Sequence, residues 1–336
     1  MIEVEHLSKI YGTTSAIADV TFAVEPGEIL GFLGPNGAGK TTTMRILAGY
    51  LPASSGTARV AGHEVHEDSM AVRKRIGYLP ETPPLYPEMT VAGFLHFVAR
   101  IKGVSAGDRA ANVQSALERT VLVDKHDTLI RKLSKGYRQR VGIAQAIVHD
   151  PPVIILDEPT VGLDPRQIIE VRNLIKNLAG SHTVILSTHI LPEVSMTCSR
   201  VAIINKGRIV ATNTPEGLMT HLTGGTGYEL EIEGDATAAQ QSLHRLQGVK
   251  AVEILSAELP EGYYKLRVVG EAGAEVIGRE ITAAIVQAEI GLHELRRIQV
   301  SLEDVFLQLT TEEAPADSAI EDDDTVRTEL IQDSEQ

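Results

Sequence analysis

A single cysteine, Cys198, stands in the 336 residues, so no internal disulfide can form and a reducing compartment suits the chain. Its surroundings, EVSMTCSRVAII, offer no set of further ligands, which leaves the reading of a buried structural thiol. Long apolar runs are missing as well. No stretch approaches the roughly 18–20 residues that cross a bilayer, and the opening MIEVEHLSKIYG lacks the basic-then-apolar order of an export signal. A cytoplasmic location is therefore expected. Basic blocks are absent too, which argues against nucleic acid as a partner.

What charge there is lies unevenly. The net charge is −14, and −9 of it falls between Thr311 and Gln336, where ten acids meet one base, Arg327. That tail has no aromatic residue and cannot bury enough apolar surface to offset its ordering entropy, so residues 311–336 read as a disordered, solubilising terminus. The rest, at 43% hydrophobic overall, has ample material for two domains.

Short strand patterns alternate with turns over the first 60 residues. Ile29, Leu30, Phe32 and Leu33 form a nearly unbroken apolar run, as expected of a strand buried on both faces. TTTMRILAGYL then reads as a helix ending at Gly49. Two further buried strands, Val153–Leu156 and the one in HTVILSTH, stop at polar residues, and RVAIINKGRIV reads as a hairpin around Lys206-Gly207. From Thr90 to His149 the pattern is mainly helical. Strands alternating with helices predict a mostly parallel α/β sheet with polar groups gathered where the strands end. Beyond Gly224 the order becomes strand, helix, two strands, helix, strand and closing helix. A hinge at Thr223–Gly227 separates the two parts, giving a first domain over 1–222 and a small α+β domain over 224–310.

The segment Gly34-Pro35-Asn36-Gly37-Ala38-Gly39-Lys40-Thr41 satisfies G-x-x-x-x-G-K-[ST], between a buried strand and a helix. Glycines permit the tight turn and let successive N–H groups converge on phosphate oxygens, and the helix adds its positive dipole end. Lys40 supplies a point charge for the β- and γ-phosphates, the Thr41 hydroxyl can ligate Mg²⁺, and Thr42 can reach another phosphate oxygen. Asp157 and Glu158 directly follow the second buried strand, beside this loop. We assign Asp157 to the metal and Glu158 to activation of the attacking water. His189 ends the third strand and is placed to touch the γ-phosphate.

With LSKGYRQR (Leu133–Arg140), VIILDEP, GLDP and STH, the loop makes residues 1–220 resemble the nucleotide-binding subunit of an ATP-binding cassette (ABC) transporter, and the ABC-2-type exporters in particular. The resemblance implies a P-loop NTPase fold: a RecA-like core sheet, a β subdomain and a helical subdomain bearing the signature. It implies that Tyr11 stacks on adenine, and that Ser134, Lys135 and Gly136 face the γ-phosphate held by the opposite subunit. Asp164 would cross the same interface. A head-to-tail dimer with a second copy or a homologous subunit follows, as does a transmembrane permease that holds the chain at the inner face of the membrane. Two positions depart from the pattern. Lys135 replaces a usual glycine, and Glu81 replaces a usual glutamine that contacts Mg²⁺ or the attacking water, so an amide donor gives way to a negative charge. An ATPase motor powering export is the leading expectation. A soluble relative acting on DNA or ribosomes lacks support, since neither a second cassette nor zinc-binding cysteines are present. An ATP-binding regulatory module without productive hydrolysis is the alternative.

Overall fold

The computed structural model describes residues 1–223, 227–255, 260, 262–270, 278–298 and 302–311. The chain opens with β1 (Ile2–Tyr11), β2 (Thr14–Val24), β3 (Ile29–Leu33) and helix α1 (Lys40–Leu47). Next come β4 (Ser55–Val60), β5 (His63–Glu64), α2 (Ser69–Arg75) and β6 (Ile76–Leu79). Helices α3 (Val91–Ile101), α4 (Arg109–Arg119) and α5 (Lys135–Ile147) separate β6 from β7 (Val153–Asp157). Then follow α6 (Pro165–Lys176), β8 (Thr183–Thr188), α7 (Leu191–Thr197), β9 (Arg200–Asn205), β10 (Arg208–Asn213) and α8 (Pro215–Thr223). The last part runs β11 (Gly227–Glu233), α9 (Ala236–His244), β12 (Val249–Leu255), β13 (Tyr263–Gly270), α10 (Gly278–Gln287), β14 (Gly291–Ile298) and α11 (Leu302–Thr311).

The central sheet has the order β10-β9-β3-β8-β7-β6, parallel except for β10. Its apolar runs are unbroken because each strand feeds two cores. Ile29, Leu33, Ile154, Leu156, Val184 and Leu186 point to the side covered by α3 to α7. Leu30, Phe32, Val153, Ile155 and Ile185 point to the side closed by the antiparallel sheet β2-β1-β4-β5. Fully buried residues such as Leu30 and Phe32 each contribute about 1.5–3 kcal/mol relative to exposure. Gly31 lets α7 lie directly on β3: a Cβ there would stand 2.8 Å from Val194 Cγ1 and 2.9 Å from Cys198 Sγ. Cys198 is accordingly buried, and burial pushes its thiol up to about 12.

Two elements differ from the sequence reading. Ile76–Leu79, not read as a strand, pairs in parallel with β7 and forms the sheet's edge. The closing helix α11 does not join the small C-terminal core. Leu302, Phe306 and Leu309 pack instead against the core beside α7 and α8, and Asn205 Nδ2 donates to Thr310 O at 3.2 Å. An amphipathic pattern fixes which face of a helix is buried but not which body buries it.

The C-terminal sheet is antiparallel, in the order β12-β13-β11-β14. Its inward residues, including Leu230, Ile232, Leu266 and Val268, form a core with α9 and α10 that is separate from the other two. All of the acidic tail but Thr311, which ends α11, and most of the hinge, residues 224–226, lie outside the described residues.

Candidate functional site

The ends of β3, β7 and β8 meet at one cleft of about 430 Å³. The loop after β3 shapes its floor. Gly39 sits at φ 104°, and a Cβ there would stand 2.6 Å from Ile17 Cγ2 and 2.7 Å from Ala16 O, so only glycine fits between the loop and β2. Lys40 begins α1 and is almost wholly buried. Its Nζ donates to Gly34 O at 2.8 Å and to Pro35 O at 3.2 Å.

The same ammonium lies 3.4 Å from Glu158 Oε1. Glu158 is buried at φ 51°, a left-handed conformation that costs a non-glycine residue about 1–3 kcal/mol. Its N–H donates to Ser187 O at 2.9 Å, which ties the bend to β8. His189 Nδ1 stands 3.0 and 3.1 Å from the two Glu158 oxygens. Lysine, glutamate and histidine thus form one contiguous polar cluster.

Thr41 Oγ1 donates to Asp157 Oδ1 at 3.3 Å. Asp157 Oδ2 and the Ser187 hydroxyl are buried with no hydrogen-bond partner among the described residues. Burial pushes the Asp157 carboxyl above its ordinary range, against the hydroxyls of Ser187 and Thr41 that face it, and the charges of Glu158 and Glu81 push it further. A buried carboxylate oxygen without a donor, beside a hydroxyl, is a fitting donor set for a hard divalent cation.

Asn36, Gly37, Thr42 and Glu81 also line the cleft, together with Ala16 and Val161, which the sequence did not single out. Ala16 could not be foreseen, because its place there depends on β2 reaching the loop after β3.

Other expected residues lie away from the cleft lining. Tyr11 ends β1 with 48% of its surface exposed and Lys9 Nζ 5.4 Å above its ring. Ser134 caps α5 by accepting from Tyr137 N at 3.4 Å, and Asp164 caps α6 by accepting from Gln167 N at 2.9 Å. These two helix starts touch. A Cβ on Gly136 would stand 2.6 Å from Gln167 Cδ, and one on Gly162 would run into Lys135 Nζ.

Residues 17–161 match the family model described as ABC transporter. The Nod factor export ATP-binding protein I of Paraburkholderia xenovorans (strain LB400) is 37% identical over 314 residues, covering 93% of this chain and 97% of that protein. The chain belongs to the ABC transporter family, as an ATP-binding subunit. The linearmycin resistance ATP-binding protein LnrL of Bacillus subtilis (strain 168) is 30% identical over 311 residues, 92% of this chain and 98% of that one. A solved ATP-binding subunit of an ABC transporter superposes with a TM-score of 0.60 at 32% identity, covering 65% of this chain and 91% of the other. The cassette is therefore a P-loop NTPase fold, and the curated relatives share the chain nearly end to end while that solved structure covers about two thirds of it.

Proposed function

We propose that this chain hydrolyses Mg-ATP as half of a head-to-tail dimer and drives export through a separate membrane-spanning permease. The convergence of Lys40, Glu158 and His189 beside the phosphate loop carries the reading. In the free chain Glu158 balances Lys40. A triphosphate carries more charge than one carboxylate, so Lys40 turns to the β- and γ-phosphate oxygens and Glu158 is released to act as base. Glu158 takes a proton from water as the water oxygen bonds to the γ-phosphorus and the bond to the departing ADP oxygen breaks. His189 steadies Glu158 and faces the γ-phosphate.

Thr41 and Asp157 would hold Mg²⁺, with Glu81 near them, and the cation would neutralise charge on the phosphates. The positions of Ser134, Lys135, Gly136 and Asp164 outside their own cleft support completion by a second subunit, a copy or a homologue. Tyr11, at the rim, is the candidate for stacking on adenine.

Among the described residues no helix is long and apolar enough to cross a membrane, and in this reading a permease supplies the spanning part and holds this subunit at the inner membrane face. Tyr86, exposed above the buried Phe94 and the half-buried Phe97, offers it a docking point. The export and resistance names of the relatives support the direction of transport.

Phosphate release tests the reading. Glu158→Gln should keep Mg-ATP affinity and lose about 10²–10³-fold in turnover, the scale of removing a transition-state group. Normal hydrolysis by that variant contradicts the base role. Binding without any release by the wild type, with and without its permease, favours a regulatory module, a reading the extra charge of Glu81 supports.

A further inference from the structure

Glu193 is an acidic residue, 1% exposed, and has no part in the chemistry described above. It lies on α7, which Gly31 allows to press against β3. Its two carboxyl oxygens have different partners. Oε1 accepts from the hydroxyl of Thr160, two residues beyond Glu158, and Oε2 accepts from the hydroxyl of Thr188 at 2.8 Å, one residue before His189. Thr188 is itself a junction. Its Oγ1 accepts from Ile190 N at 3.1 Å, and its carbonyl accepts from Gly34 N at 3.4 Å, where the phosphate loop begins.

We infer that Glu193 is a positioning residue: by holding Thr160 with one oxygen and Thr188 with the other, it sets the distance between Glu158 and His189. The inference rests on the ATPase reading only for its kinetic consequence. A residue kept for packing alone would be better apolar, because a buried carboxyl costs free energy that two hydroxyl donors only partly return. Burial indeed pushes the Glu193 carboxyl above its ordinary range, against the hydrogen bonds from Thr160 and Thr188. What the carboxyl adds is two acceptors on one rigid group, spaced to join two loops from different strands. Lys40 has no contact with it and the phosphate loop is reached only through the long bond from Gly34 N to the Thr188 carbonyl, so the effect falls mainly on the reacting end of the nucleotide.

The test uses the full chain and two readouts. The first is the imidazole NMR signal of His189 without nucleotide, and the second is phosphate release set against Mg-ATP affinity. Glu193→Ala should shift the His189 signal and lower kcat by about 10–100-fold, the scale of misplacing a reacting group by up to an ångström. Affinity for Mg-ATP should stay within about two-fold. Glu193→Gln, which keeps one acceptor oxygen, should fall between. If Glu193→Ala fails to fold, the near-isosteric Thr160→Val carries the same expectation. An unmoved His189 signal with unchanged kcat overturns the inference, and so does an affinity loss equal to the loss in kcat. A wild type that releases no phosphate overturns the ATPase reading alone, and the His189 signal still decides whether the clamp exists.

Discussion

The cassette and the C-terminal sheet handle charge in opposite ways. In the cassette Lys40, Asp157, Glu158 and Glu193 are buried at the strand ends, and Asp157 keeps an oxygen without a donor. On the C-terminal sheet Glu229 is surrounded by bases: Arg296 at 2.7 Å, Arg267 at 3.2 Å and Lys265 at 3.4 Å. The hydrogen bond from Arg296, with help from Arg267 and Lys265, holds Glu229 down at about 2. In the first group the Asp157 oxygen is the one left open, and it calls for a ligand. In the second group the Glu229 carboxylate is already met by three bases. Unmet electrostatic demand, more than charge itself, separates a site from a surface.

Three substitutions sharpen that contrast. Leu266→Ala empties part of the C-terminal core, where Leu266 is fully buried, and should cost about 2–5 kcal/mol. Amide exchange in β11 to β14 measures it. Because the three cores are separate, Mg-ATP affinity should hardly move, and a large drop would show the two parts to be coupled. Lys40→Ala should weaken Mg-ATP binding by about 10–100-fold, or about 1.4–2.8 kcal/mol, as read by nucleotide titration. Unchanged affinity would make the cradle reading untenable.

Glu229→Gln should cost the least, about 0–1 kcal/mol, since the Lys265, Arg267 and Arg296 heads that pair with it face solvent, and such ion pairs contribute little. Its sign with pH is fixed. The folded value of about 2 lies below the ordinary 4.5, so the ionised form favours the fold above about pH 4.5 and that gain is lost as pH falls toward 2. Acid unfolding profiles of wild type and variant should therefore converge near pH 2 and differ above it. Profiles parallel throughout would mean that the bases around Glu229 do not act on its ionisation.

Much of the cassette was legible because its signals are local. The buried strands show as apolar runs, and the phosphate loop declares itself by glycine spacing between a strand and a helix. The two-core alternation explains why β3, β7 and β8 read as continuous. Other features hide for physical reasons. Strand β6 is only four residues long and includes Gly77, too little for a period to show. Helix α11 looks like part of the unit it follows, and its true neighbours are α7 and α8, far back in the chain. Glu193 reads as one acid in a surface helix, and its meaning comes from Thr160, 33 residues away. Ser134 and Asp164 are readable as helix caps, while their distance from the cleft is a property of the fold alone.

The measurement that bears most directly on the account is a structure of the chain with Mg²⁺ and a non-hydrolysable ATP analogue. The account predicts the γ-phosphate at Lys40, Glu158 moved off the 3.4 Å contact it makes in the free chain, and the cation between Thr41 and Asp157. An analogue bound elsewhere, with the Lys40–Glu158 pair intact, would contradict it.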